Sequence, residues 1–224
     1  MAKAVTLTTL ADLAEDQWGL ITKDQAESIG VAWSTISRLR SQGVLDRVAR
    51  GVYRLRGTPP ADHLELRAAW LQLAPHLPAW DRGVDLGAVS HRSAASVYGL
   101  GHLPADRHEF VLPVRRQTRR ADVRLHRGHL ERPEWTALEG LPVTRPRRIA
   151  ADLLAEREDP AAVGHVVADA LRQGADHPRS VAGAIAPHAA RYGLARHDGF
   201  SLLSRLLELT GDPQRSAWLK EARA

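Results

Sequence analysis

Apolar positions in the first third of the chain switch from helical to strand spacing. In TLTTLADLAEDQWGL (6–20), Leu7, Leu10, Leu13 and Ala14 recur at intervals of three and four, which predicts a helix ending near Gly19. In the next stretch, ITKDQAESIG, Thr22 and Gln25 have the spacing of a capping box. There the hydroxyl accepts a backbone N–H while the amide reaches back. Gly30 then supplies a left-handed stop. A third helix is predicted from about Ala32 to Gln42, closed by Gly43. Ala32, Ile36 and Leu39 share its core face, Ser34, Ser37, Arg38 and Ser41 lie opposite, and Trp33 and Arg40 flank the core side. VLDRVARGVYRL follows with strand-formers Leu45, Val48, Val52, Tyr53 and Leu55 around the turn Ala49-Arg50-Gly51, where Gly51 permits a positive φ.

Helix, helix, turn, helix and hairpin make a winged helix-turn-helix. RGTPPADH (56–63) is turn-rich, and its paired prolines cannot continue a hairpin, so the domain boundary is placed between residues 57 and 58. Beyond it, HLELRAAWLQLAP reads as an amphipathic helix through Leu64, Ala68 and Leu71, stopped by Pro75. A short strand runs to Val89, and Ser90 is expected to cap a helix ending at Gly99. HEFVLPV and DVRLHRGHL are strand-like, with the polar loop RRQTRR between them. After LPVT a helix opens at Pro146, with Arg148 four residues before Asp152 as a structural ion pair, and the remainder is helical. The fold class is therefore α+β: an N-terminal winged helix-turn-helix (1–57), then a larger mixed α+β domain (58–224) ending in several helices.

Composition narrows the function. No run of about 18 apolar residues exists, so no membrane span is expected. The N-terminus lacks the apolar core and cleavage site of a signal peptide, and a cytoplasmic protein is expected. Without cysteine there is no disulfide, thiol nucleophile or thiolate metal site. The net charge is +5, and its placement is the informative part. Residues 1–31 hold two lysines against five acids, a net of −3, whereas residues 32–60 hold six arginines against Asp46, a net of +5.

That asymmetry gives the third helix a meaning. Serine weakens a helix, so exposed positions usually carry better helix formers. Small hydroxyls beside an arginine suit a face that enters the DNA major groove and donates to phosphates and base edges. The hairpin would touch the neighbouring backbone or minor groove. Candidate double-stranded DNA contacts are Trp33, Ser34, Thr35, Ser37, Arg38 and Ser41 on the helix, with Arg47, Arg50 and Arg54 on the wing. The competing reading is a protein-contact module with a solvated charged face. Ala32 stands where a capping Ser or Asp is usual, a loss of about 1 kcal/mol in helix stability.

In the second domain, Arg115, Arg116, Arg119, Arg120, Arg124 and Arg127 either bind an acidic partner, extend the DNA footprint, or form a solvated face. His126 and His129 point to opposite faces of a strand, no HExxH occurs, and no metal site is expected. Gly99-Leu-Gly101 follows a helix and lacks the third glycine of a dinucleotide fingerprint. Ser90 and His91 are neighbours in sequence, which does not make a nucleophile–base pair, and the domain's only lysine is Lys220. No cofactor and no enzymatic activity are expected; a nucleic-acid-processing enzyme is the rival class.

ITKDQAESIGVAWSTISRLRSQGVLDRVARGVYRL resembles the N-terminal domain of AbiEi antitoxins from bacterial type IV toxin–antitoxin (abortive infection) systems. GAVSHRSAASVYGLGHLP and LPVTRPRRIAADLL are similar to segments of that family's second domain. Departures are Ala32, Arg145, Arg147 and Ile149, and the absence of the restriction-endonuclease-like tail of some relatives. The resemblance implies a winged helix that binds inverted repeats at its own promoter and represses the operon. It also implies a second domain that counters a cognate nucleotidyltransferase-like toxin, as a phage-defence device. A plain winged-helix regulator without a toxin partner is the alternative. No heptad pattern fixes the oligomeric state.

Overall fold

The computed structural model describes residues 2–223. It forms two compact units, residues 1–87 with Glu139–Leu141, and residues 88–138 with 142–224.

The first unit opens with α1 (Ala2–Glu15), β1 (Leu20–Thr22), α2 (Lys23–Ser28), α3 (Trp33–Ser41), β2 (Leu45–Ala49) and β3 (Val52–Leu55). The strands form an antiparallel sheet in the order β1-β3-β2. β1 was not legible in the sequence: it is three residues long, and its ladder partner β3 lies thirty residues downstream. Leu10, Ala14, Ile21, Ile36, Leu39 and Leu45 close the core between helices and sheet. The capping box forms, with Gln25 N donating to Thr22 Oγ1 at 3.1 Å and Thr22 N to Gln25 Oε1 at 3.0 Å.

The compact division falls at Gly87, thirty residues beyond the expected boundary at 57/58. The prolines do end the hairpin, but the next helix, α4 (Leu64–Leu71), packs on β2. Its residues 66–71 are all buried, so it is not the half-exposed helix that its periodicity suggested. Arg67 lies among them at 2% exposure, its guanidinium paired with the Glu139 carboxylate at 2.5 Å. Gln25 Nε2 donates to Leu77 O, and Gln17 Oε1 accepts from Ala79 N. Arg82 gives its guanidinium to the carbonyls of Trp70, Leu71 and Leu77, closing the end of α4 as cations at helix C-termini do. Burial pushes that guanidinium down to about 10.

The second unit holds a five-stranded sheet in the order β6-β5-β4-β8-β7. Its strands are β4 (Ala88–Val89), β5 (His108–Leu112), β6 (Val123–Arg127), β7 (Trp135–Leu138) and β8 (Leu141–Thr144). β4 runs antiparallel to β5 and parallel to β8, and β5 is parallel to β6. α5 (His91–Tyr98) and α6 (Pro146–Ala155) pack together, and the expected helical end is α7 (Pro160–Arg172), α8 (Pro178–Ile185), α9 (Gly199–Thr210) and α10 (Arg215–Arg223). The Arg148–Asp152 ion pair forms at 2.8 Å, and Arg148 also reaches Glu134 at 2.9 Å.

Two glycines set the helix spacing here. A methyl group on Gly164 of α7 would press on the Leu206 carbonyl, and one on Gly199 of α9 would overlap the Ala182 carbonyl of α8. Gly199→Ala should therefore lower stability by about 1–3 kcal/mol in urea unfolding. Gly183→Ala, whose added carbon meets nothing within 4 Å in the middle of α8, should raise it by roughly 0.5–1 kcal/mol.

Candidate nucleic-acid interface

The interface begins with the roll of α3. Ile36 and Leu39 are buried, Thr35 is half-buried, and Ser34, Ser37, Arg38, Arg40 and Ser41 are exposed. Trp33, at 45% exposure, stands at the start of the helix. Ala32 is extended at the N-cap with no side-chain hydrogen bond, as its chemistry requires. Arg38 and Arg40 occupy the last turn, where positive charge favours the helix dipole. Ser41 Oγ donates to the Arg38 carbonyl at 2.8 Å, which commits its proton to the helix. The hydroxyls of Ser34 and Ser37 have no such bond among the described residues.

The wing turn is held from behind. Lys23 N donates to Gly51 O at 2.8 Å, Gln72 Nε2 donates to Arg50 O at 2.6 Å, and Gly51 adopts φ +73°. The Arg47 and Arg50 side chains remain exposed. Between α3 and the wing lies an open cleft of about 580 Å³, lined by Lys23, Trp33, Arg40, Arg47, Arg50 and Tyr53 among others. The Trp33 ring packs on Tyr53 at 6.1 Å between centroids, and Lys23 Nζ sits 5.5 Å over the indole.

Two wing arginines are used inside the molecule. Arg54 turns back, Nη2 donating to Thr58 O at 2.7 Å and to Pro59 O at 3.1 Å, so the fold separates it from Arg47 and Arg50. Arg56 bonds both carboxylate oxygens of Asp46, at 3.2 and 2.7 Å, and holds that carboxyl below its usual range. This pair neutralises the only acid of residues 32–60. Lys23, Arg40 and Gln72 join the surface although the sequence reading did not select them. Arg40 was recognisable one turn beyond Ser37; Lys23 and Gln72 arrive only through the tertiary fold.

The arginines of the second unit do not form one basic face. Arg115, Arg116, Arg119 and Arg127 are exposed, but Arg120 pairs with Asp122, and Arg124 holds both oxygens of Glu156 at 2.8 and 2.6 Å. Ser90 sits at the N-cap of α5, yet its hydroxyl lies 3.0 Å from His91 Nδ1 and caps nothing. His129 falls beyond the end of β6, and the companion of His126 is His91. No helix among the described residues is long and apolar enough to cross a membrane.

Arg54→Ala should lower stability by about 1–1.5 kcal/mol, because it strips the partly buried Thr58 carbonyl and the exposed Pro59 carbonyl of their donor. Arg50→Ala, at an exposed turn, should change it by less than about 0.5 kcal/mol. Urea unfolding of the two variants distinguishes the structural arginine from the available one.

No curated protein matches the chain. The crystal structure of the RV2827C protein from Mycobacterium tuberculosis is similar in fold, with a TM-score of 0.50 over 99% of this chain and 82% of that one, at 19% identity. Residues 9–56, running from α1 through the wing, match the family described as transcriptional regulator, AbiEi antitoxin. The winged helix of this chain is thus similar to that of the AbiEi antitoxin regulators.

Proposed function

We propose that the chain is a DNA-binding autorepressor and the antitoxin of a type IV toxin–antitoxin pair. The winged helix takes inverted repeats at its own promoter, with α3 in the major groove and the wing on the adjacent backbone. Ser34, Ser37 and Arg38 read base edges, and Arg40, Arg47 and Arg50 neutralise phosphates. The second part of the chain counters a nucleotidyltransferase toxin, which is the role the resemblance implies. The observation that carries the DNA reading is the continuous surface from the hydroxyl face of α3 through the cleft to the wing. The match over residues 9–56 supports it independently. Because that match ends with the wing, a regulator without a toxin partner is the second reading.

Fluorescence anisotropy on the chain's own upstream DNA tests the first half. Arg50→Ala should weaken binding on every sequence and reduce the salt slope by about one. Arg38→Ala and Ser34→Ala should instead relax the preference at single base pairs, by about 1–3 kcal/mol each. Wild-type affinity, slope and preference in all three would refute the assignment. For the second half, the full chain carrying Arg38→Ala and Arg50→Ala is co-expressed with a nucleotidyltransferase encoded beside it. Restored growth is expected, and growth arrest persisting even with the wild-type chain would leave the plain regulator.

A further inference from the structure

The DNA reading leaves unused a buried polar cluster in the second unit. His91 opens α5 with φ +52°, a left-handed conformation costing a non-glycine residue on the order of 1–3 kcal/mol unless its surroundings hold it. It is only 5% exposed, and its Nδ1 is engaged by the buried Ser90 hydroxyl. His126 of β6 stacks on it, 3.6 Å between ring centroids. His126 Nε2 lies 2.7 Å from Oε2 of Glu109, a carboxylate on β5 at 4% exposure. His126 Nδ1 lies 3.4 Å from Glu156 Oε1, just past the end of α6. One donor atom from each of His91, His126 and Glu156 falls within 4.8 Å of the others.

Carboxylates gather around this point. Arg124 holds Glu156 and approaches Glu109 to 3.8 Å, while Arg148 holds Asp152 and Glu134. Four carboxylates therefore meet two guanidiniums. His126 lies between two of these carboxylates, Glu109 and Glu156.

Each imidazole also has one nitrogen held by a protein group, Ser90 for His91 and Glu109 for His126, and the other nitrogen of His126 lies 3.4 Å from Glu156. Outer partners of this kind set the tautomer and orientation of metal-ligating histidines. Two nitrogens and one carboxylate oxygen suit zinc-class ions, with a fourth position open. We propose that His91, His126 and Glu156 bind one divalent transition-metal ion of the zinc class, with Ser90 and Glu109 orienting the imidazoles. The rings lie only 13° from parallel, so binding turns one of them out of the stack and toward Glu156.

The test is calorimetric titration of the chelator-treated full chain with Zn²⁺, with the melting temperature followed alongside. One ion per chain and a rise in Tm are expected. His126→Gln and Glu156→Gln should each weaken binding at least about tenfold, and Glu109→Gln by about 10–100-fold. His129→Gln, outside the cluster, should bind as wild type. Glu156→Gln keeps size and shape at a partly exposed position and remains readable if the histidine variant unfolds. Absence of saturable uptake by the wild-type chain would overturn the proposal. So would wild-type affinity in Glu156→Gln and His126→Gln together, which would place the ion on surface histidines.

Discussion

Burial of Ile36 and Leu39 decides which way α3 faces, and the DNA reading depends on that roll. Both side chains are enclosed in the first core, each contributing about 1.5–3 kcal/mol when removed from water. No rotation of the helix keeps them buried while hiding Ser34, Ser37 and Arg38. The wing is set by separate bonds, from the Lys23 amide and the Gln72 side chain to the turn carbonyls of Gly51 and Arg50. A rigid helix and a turn fastened from behind give two surfaces of fixed spacing, which is what groove recognition requires.

Charge count and charge available are different quantities. Six arginines lie within residues 32–60, but Arg54 serves the linker carbonyls and Arg56 is matched to Asp46. The excess that reaches solvent comes from Arg38, Arg40, Arg47 and Arg50. The internal pairs still assist the surface, because Asp46 would otherwise stand beside the wing as an anion repelling phosphate. Folding thus concentrates the positive field on the side where α3 is bare, which favours steering of a polyanion toward that side.

What could be read from the sequence follows the range of the interactions involved. Thr22 with Gln25, the stop at Gly30, the face of α3 and the Ala49–Gly51 turn are local, and each appears where spacing placed it. β1 and the packing of α4 were illegible for a common reason: both depend on partners more than fifteen residues away. Arg54 illustrates the limit within one residue. Alternation placed it on a strand beside Arg47, but whether its guanidinium met solvent or the Thr58 carbonyl depended on the course of the linker. Arg124 lost its apparent freedom in the same way, to Glu156, whereas Arg120 meets Asp122 only two residues on.

The histidines show the same principle with a chemical consequence. Along the chain His126 invites comparison with His129, three residues on, but His129 lies past the end of β6. Its actual neighbour, His91, is thirty-five positions earlier and opens a helix, and Glu109 and Glu156 come from a further strand and the end of another helix. Parallel pairing of β5 with β6 sets Glu109 directly across from Arg124, whose guanidinium then extends to Glu156. One strand register therefore assembles the carboxylates, their arginine and the imidazole together. A slip of one residue would send His126 and Arg124 to the opposite face of the sheet and leave Glu109 buried without a partner, which a folded protein avoids. The register that secures the core of the second unit is the same one that gathers these donor groups.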